Sequence, residues 1–293
     1  MASVKRRPNR APRARAVRRD ARTRTRRKRG LLGRLWPGAR LRRRGWRALK
    51  RAPRLLQAGL VLALATGVFL AINWLYQVVR KPTELLFPVS GTLYKTPQET
   101  WLVYGPLFRR YATARVSAQL LAALAQVEGS GNPVVRTYWR WSWAGRPFEL
   151  YRPASSAVGM YQITDGTFAE ARHYCIRDHA VVRDGAWNDW RSCWLNGLYF
   201  RVIPSDAIEL TSAYLDRHVA GTLAQLHLRG ASRREAVELA AVIHLCGAGA
   251  GDSFARRGFA LGPGERCGDQ NAHAYVARVE SMTALFERLA ERG

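Results

Sequence analysis

Hydrophobic positions along this chain follow two patterns. From Leu55 to Val79, 25 consecutive residues carry no Asp, Glu, Lys, Arg or His side chain. At 1.5 Å of rise per residue this run predicts one helix that spans a hydrocarbon core of about 30 Å. Trp74 and Tyr76 sit near its C-terminal end, where aromatic rings prefer the headgroup level, and Arg80 and Lys81 close it. Beyond residue 112 the apolar residues recur every three or four positions instead, which is the period of amphipathic helices.

Capping signals mark where those helices begin. Thr96, Pro97 and Glu99 form a helix start with cap, first-position proline and capping-box acid, and Ser117 caps AQLLAALAQVE, with Gly129 placed to end it. Thr164 or Asp165 opens a helix to about Tyr174, and Ser205 or Asp206 opens a longer one reaching Gly230. Ser232 with Glu235 is a second capping box, and Tyr275, Val279, Met282, Phe286 and Leu289 form one stripe of a last helix. Strand-like alternation is scarce, so the expected body is mainly α. Residues 80–112 carry four prolines and read as a stalk, leaving 113–293 as the folded domain.

Charge gives this layout a direction. The chain of 293 residues has a formal net charge of +27, which taken whole suggests a nucleic-acid partner. Residues 1–54, however, hold 23 Lys+Arg against the single acid Asp20, so +22 of the +27 lies in this tail. Arg-rich sequence of this kind cannot bury enough surface to fold and reads as a disordered topology signal. An anionic leaflet is its expected partner, and specific nucleic-acid binding is the disfavoured reading. The apolar run is too long and its basic flank too extended for a cleaved signal peptide. The expectation is an uncleaved anchor in the inner (cytoplasmic) membrane, tail cytoplasmic and body exported to the periplasm.

Cys175, Cys193, Cys246 and Cys267 all fall on the exported side. They form no C-x-x-C pair, and the six histidines show no zinc-ligand spacing, so no metal is expected. Disulfides are the better reading in an oxidising compartment. Three connectivities are open, of which the local pairs 175 with 193 and 246 with 267 each close a loop of about 20 residues, worth roughly 3 kcal/mol by the chain-entropy model.

The candidate chemistry lies in VEGSGNP (127–133), SSAVGMYQIT (155–164), IHLCGAGAG (243–251) and AYVARV (274–279). In this order the four segments resemble the lysozyme-like lytic transglycosylase family, related to goose-type lysozyme, over roughly residues 115–285. The resemblance implies a lysozyme-like domain behind the single transmembrane helix, acting on peptidoglycan glycan strands without a cofactor. Glu128 matches the family's catalytic acid/base. Ser130, Asn132, Gly159, Met160, Tyr161, Gln162 and Tyr275 fall at positions the resemblance implies for substrate binding. Gly129 replaces the serine that more often follows the glutamate, Met160 and Tyr161 replace Leu and Met, and His244, Leu245 and Cys246 stand where Tyr, Asn and Ala are usual.

Residue chemistry points the same way. Glycosidic cleavage needs a protonated carboxyl for the leaving oxygen. Glu128 ends an apolar helix, where the negative pole of the dipole and dry surroundings both disfavour a carboxylate. A hydrolase generally needs a second carboxylate, and Glu149, Asp165 and Glu170 are the next acids along the chain. The resemblance implies that one acid suffices: the muramic acid 6-hydroxyl attacks its own anomeric carbon and leaves a 1,6-anhydro end. Trp139, Trp141 and Trp143 alternate in an aromatic loop and are read either as a sugar-stacking wall or as packing, whereas Trp187, Trp190 and Trp194 around Cys193 are expected in the core. The alternatives are a water-using muramidase, and a non-catalytic wall-binding scaffold of a secretion or conjugation apparatus.

Overall fold

The computed structural model describes residues 46–292 except 48, 144, 145, 187, 190, 191 and 229, together with the backbone of residues 87 and 194. The first 45 residues of the basic tail, Trp187, Trp190 and the side chain of Trp194 thus lie outside the described residues. The chain divides into two compact units, residues 1–65 and 66–293. In the first, the Gln57 side-chain amide donates to the carbonyls of Leu49 and Ala52, both at 3.0 Å, and so ties the turn at Pro53.

The apolar run forms helix α1 (Arg54–Arg80), long and apolar enough to cross a membrane. Its final turns, within the second unit, bury Asn73, Gln77 and Val78. A 3-10 turn (Pro82–Leu86) and the short α2 (Phe87–Ser90) follow. Helix α3 (Pro97–Tyr111) starts at the Thr96 and Glu99 capping box as expected. It is not a stalk, however. Tyr104 and Phe108 are one helical turn apart and sit in the main core, so 97–111 belongs to the packed body. The four prolines of residues 80–112 read as a linker, yet Pro97 opens the helix and Pro106 is accommodated within it.

Helix α4 (Ala118–Gly129) is the centre of the body. Ser117 caps it, and Leu120 to Ala125 are all completely buried. Helices α5 (Asp165–Ala171), α6 (Pro204–Gln225), α7 (Arg233–Cys246), α8 (Ala248–Arg256) and α9 (Ala272–Glu291) complete a mainly helical unit. Thr164 and Ser232 cap α5 and α7 as the sequence predicts. Helix α5 stops three residues before Tyr174, because 174–177 instead pairs as a strand. Among the described residues the sheet content is three antiparallel pairs: β1 (Trp139–Trp141) with β2 (Tyr151–Pro153), β3 (Tyr174–Arg177) with β4 (Ala180–Arg183), and β5 (Arg266–Cys267) with β6 (Gln270–Asn271). The four cysteines form the local pairs Cys175–Cys193 and Cys246–Cys267, with Cα separations of 5.5 and 5.3 Å.

Candidate active site

The end of α4 is shaped by backbone conformations that suit few residues. Ser130 and Gly131 both adopt left-handed dihedrals (φ 48° and 64°), turning the chain sharply after Gly129. Gly129 itself lies against Met160: a Cβ there would stand 2.9 Å from the Met160 Cα and carbonyl oxygen. This explains why glycine, not serine, follows Glu128. The turn leaves Glu128 in the last turn of α4, its side chain 11% exposed at the edge of a buried helix.

Helix α9 packs along α4 and supplies the closest partner. The Tyr275 hydroxyl donates to Glu128 Oε1 at 2.6 Å. Tyr275 is fully buried, and burial reinforced by the neighbouring Glu128 pushes its phenol well above the usual tyrosine range. It therefore stays a donor at any working pH. From the last turn of α7, His244 Nε2 approaches the same oxygen at 3.7 Å. Burial lowers the proton affinity of His244 below that of an ordinary imidazole, outweighing the opposing pull of Glu128 and a hydrogen bond with the Tyr161 backbone.

The 157–164 segment forms the floor. Val158 and Ile163 bridge antiparallel around a tight turn in which Gly159 (φ 79°) and Gln162 (φ 47°) are left-handed. A Cβ on Gly159 would collide with the Arg201 carbonyl oxygen. The Gln162 amide donates to the carbonyls of Gly159 (2.9 Å) and Val135 (3.3 Å), which holds the turn closed. Tyr161 inserts beneath it, donating to Leu121 O at 3.1 Å.

A cleft of about 640 Å³ opens above these groups. Glu128, Tyr161, Gln162 and His244 line one part; Thr137, Tyr138, Arg140 and Ser155 line another; and Cys267 to Gln270, the β5–β6 turn, form a third. Tyr138 donates to Asp269 Oδ2 at 3.0 Å, linking two of these walls. Burial excludes several expected substrate contacts from direct binding. Asn132 is completely buried, donating to Ser90 O (2.7 Å) and accepting from Val134 N (2.9 Å), so it pins the turn after α4. Met160 is buried in the core, Gly159 is buried beneath Arg201, and the Ser130 carbonyl accepts from Lys95 N at 2.8 Å outside the cleft lining. Tyr275 touches Glu128 instead of facing solvent. Of the expected binding residues, Gln162 lines the cleft with an accessible side chain; Tyr161 backs the lining but is completely buried.

Comparisons with protein-family models, with curated proteins and with solved structures give no match to this chain. The functional reading therefore rests on the chemistry of the cleft.

Three features of that chemistry escaped the sequence. Asp269 is a second acid in the lining, carried by the turn after Cys267, which is bonded to Cys246 at the end of α7. His244 appeared only as a departure from a motif, yet it faces the acid. Among the described residues no tryptophan lines this cleft. Strand alternation turns Trp139 and Trp141 to one face, against Tyr151 at 5.2 and 4.9 Å between ring centres, and Arg140 to the other, into the cleft. Glu149 is held by Arg80, Arg146 and Arg152 away from the lining, and Asp165 pairs with Arg201 at 2.8 Å. Among the described residues no group of three or more His, Cys, Asp and Glu side chains could hold a metal ion.

Proposed function

We propose that the protein is a membrane-anchored peptidoglycan lytic transglycosylase with a lysozyme-like domain, cleaving the MurNAc-GlcNAc β-1,4 bond and closing a 1,6-anhydroMurNAc end. The observation that carries this reading is Glu128: a largely buried carboxyl at the edge of a polar cleft, with one oxygen held by a phenol that cannot take its proton. With Oε1 occupied by Tyr275, Oε2 presents the proton to the glycosidic oxygen. As the bond to the leaving sugar breaks, Glu128 becomes a carboxylate. It then accepts the proton of the muramic acid 6-hydroxyl as that oxygen bonds to the anomeric carbon. Protons balance, and no water enters. Buried but neutral, His244 lets Glu128 change charge without a fixed cation beside it. The hydroxyls and amides of Thr137, Ser155, Gln162 and Gln270 suit sugar hydroxyls, and Arg140 suits the acidic stem peptide.

Purified peptidoglycan digested by the wild type and by Glu128→Gln tests the reading. Fragments lighter than reducing-end muropeptides by one water are expected from the wild type only. Fragments from Glu128→Gln at the wild-type rate would remove Glu128 from the mechanism.

Asp269 favours a second reading, a muramidase in which this acid activates a water across the cleft. Reducing ends that disappear in Asp269→Asn are the outcome of that case. Anhydro ends that persist in Asp269→Asn leave the one-acid route. In either reading the body faces the periplasm, where the wall lies, and the basic tail stays cytoplasmic.

A further inference from the structure

The last turns of α1 do not stand apart from the body. Asn73 Nδ2 donates to Tyr151 O at 2.6 Å, Gln77 Nε2 to Phe148 O at 2.8 Å, and Arg80 pairs with Glu149 at 2.6 Å, so the 147–153 segment wraps the helix over two turns. Just before this, Val68, Leu70 and Ile72 are exposed. The 18 residues from Leu55 to Ile72 measure about 27 Å as a helix, close to the thickness of a hydrocarbon core. Asn73 is therefore where a bilayer would end and the body begin.

Around that level the surface changes character. Trp143 is 84% exposed, Trp141 57%, Trp74 48% and Phe148 42%. They continue from the helix: Tyr76 meets Phe148 at 5.8 Å, and Trp74, Trp139 and Tyr151 line one cavity together with Glu84 and Arg136. Arg80, Arg146 and Arg152 surround the single carboxylate of Glu149, leaving positive charge beside the rings. Exposed rings interleaved with arginines are costly facing water, and are the composition of a surface set into lipid headgroups.

We infer that this face, the aromatic side of the β1–β2 hairpin with the last turns of α1, rests on the bilayer's outer leaflet. Trp141, Trp143 and Phe148 enter the headgroup layer, and Arg146 meets anionic lipid phosphates. The inference rests on α1 crossing the membrane. It also narrows the substrate. Arg140 lies on the opposite side of the same two-stranded hairpin, in the cleft, so the cleft is one hairpin thickness above the lipid and receives glycan lying against the membrane instead of glycan deep in the wall.

The test uses the full chain in phosphatidylethanolamine vesicles with and without phosphatidylglycerol, carrying one fluorophore on Trp143→Cys, Val68→Cys or Arg288→Cys. Arg288 lies about 20 Å along α9 from Tyr275 and serves as the exposed reference. Quenching by aqueous iodide is expected to fall at least threefold at position 143 relative to 288, and further when phosphatidylglycerol is present. A headgroup-borne quencher should reach 143 and not 288. Equal iodide quenching at 143 and 288, with Val68 shielded, overturns the docking while leaving the anchor intact. Iodide access at Val68 removes the anchor and the docking together.

Discussion

His244 Nε2 stands 3.7 Å from Glu128 Oε1, and burial keeps that imidazole more reluctant to take a proton than a free histidine. Its proton affinity is lower folded than unfolded, so the unfolded chain binds the extra proton first. Stability is therefore fully present above the unfolded value of about 6.5 and is lost as pH falls through the folded value. Thermal melts between pH 7.5 and 4.5 should show a steeper acid-side loss in the wild type than in His244→Gln, which has no imidazole to charge. Identical slopes would contradict the assignment.

Tyr275→Phe keeps the ring that fills the core and removes the donor to Glu128. A hydrogen bond to a charged or proton-exchanging carboxyl contributes about 1.5–3 kcal/mol, and 1.4 kcal/mol is tenfold in rate. Turnover on peptidoglycan should fall by roughly tenfold or more, with a far-ultraviolet circular dichroism spectrum unchanged from wild type. Unaltered turnover would reduce the contact to packing.

Gly129→Ser places the serine that the family resemblance leads one to expect directly after the acid. Here the new Cβ meets the Met160 backbone at 2.9 Å, which a rotamer change cannot relieve. Overpacking of this kind costs about 1–3 kcal/mol, so the midpoint of thermal unfolding should drop by several degrees. A midpoint equal to wild type would show that the 160 turn yields easily.

The two disulfides should separate in their effects. Each closes a loop of about 20 residues, so by the chain-entropy model both contribute stability of roughly 3 kcal/mol. Cys267 lines the cleft and holds the turn bearing Asp269, whereas Cys175 and Cys193 are buried away from it. Replacing Cys246 and Cys267 by Ala is expected to lower both stability and peptidoglycan cleavage. Replacing Cys175 and Cys193 should lower stability while leaving cleavage by the folded fraction close to wild type. Measuring activity at 20 °C, below both unfolding transitions, distinguishes the cases.

What the sequence reveals and conceals follows from the range of each interaction. Thr96 with Glu99 and Ser232 with Glu235 satisfy backbone groups three residues away, so their caps are legible as local spelling. The local cysteine pairs are legible for the same reason. Contacts such as Asn132 with Ser90 span 42 positions, and nothing nearby distinguishes a buried strut from a ligand contact. The motif around Glu128 thus marks a carboxyl that lines the cleft, while Asn132 and Met160 beside it are buried. In residues 97–111 the prolines mask the stronger signal, the i, i+4 pair Tyr104 and Phe108 that joins the core. Asp269 had no local signal at all, since the turn that bears it reaches the cleft through tertiary packing and a crosslink.

The Glu128 and Tyr275 pair also sets an order in time. Their positions are 147 residues apart. At synthesis rates of about 5–20 residues per second, the ribosome makes the acid roughly 7 to 30 seconds before its phenol. During that interval the emerging chain holds the end of α4 without the helix that packs along it. The carboxyl is thus made early, but the site that holds it is assembled only after α9 has been synthesised.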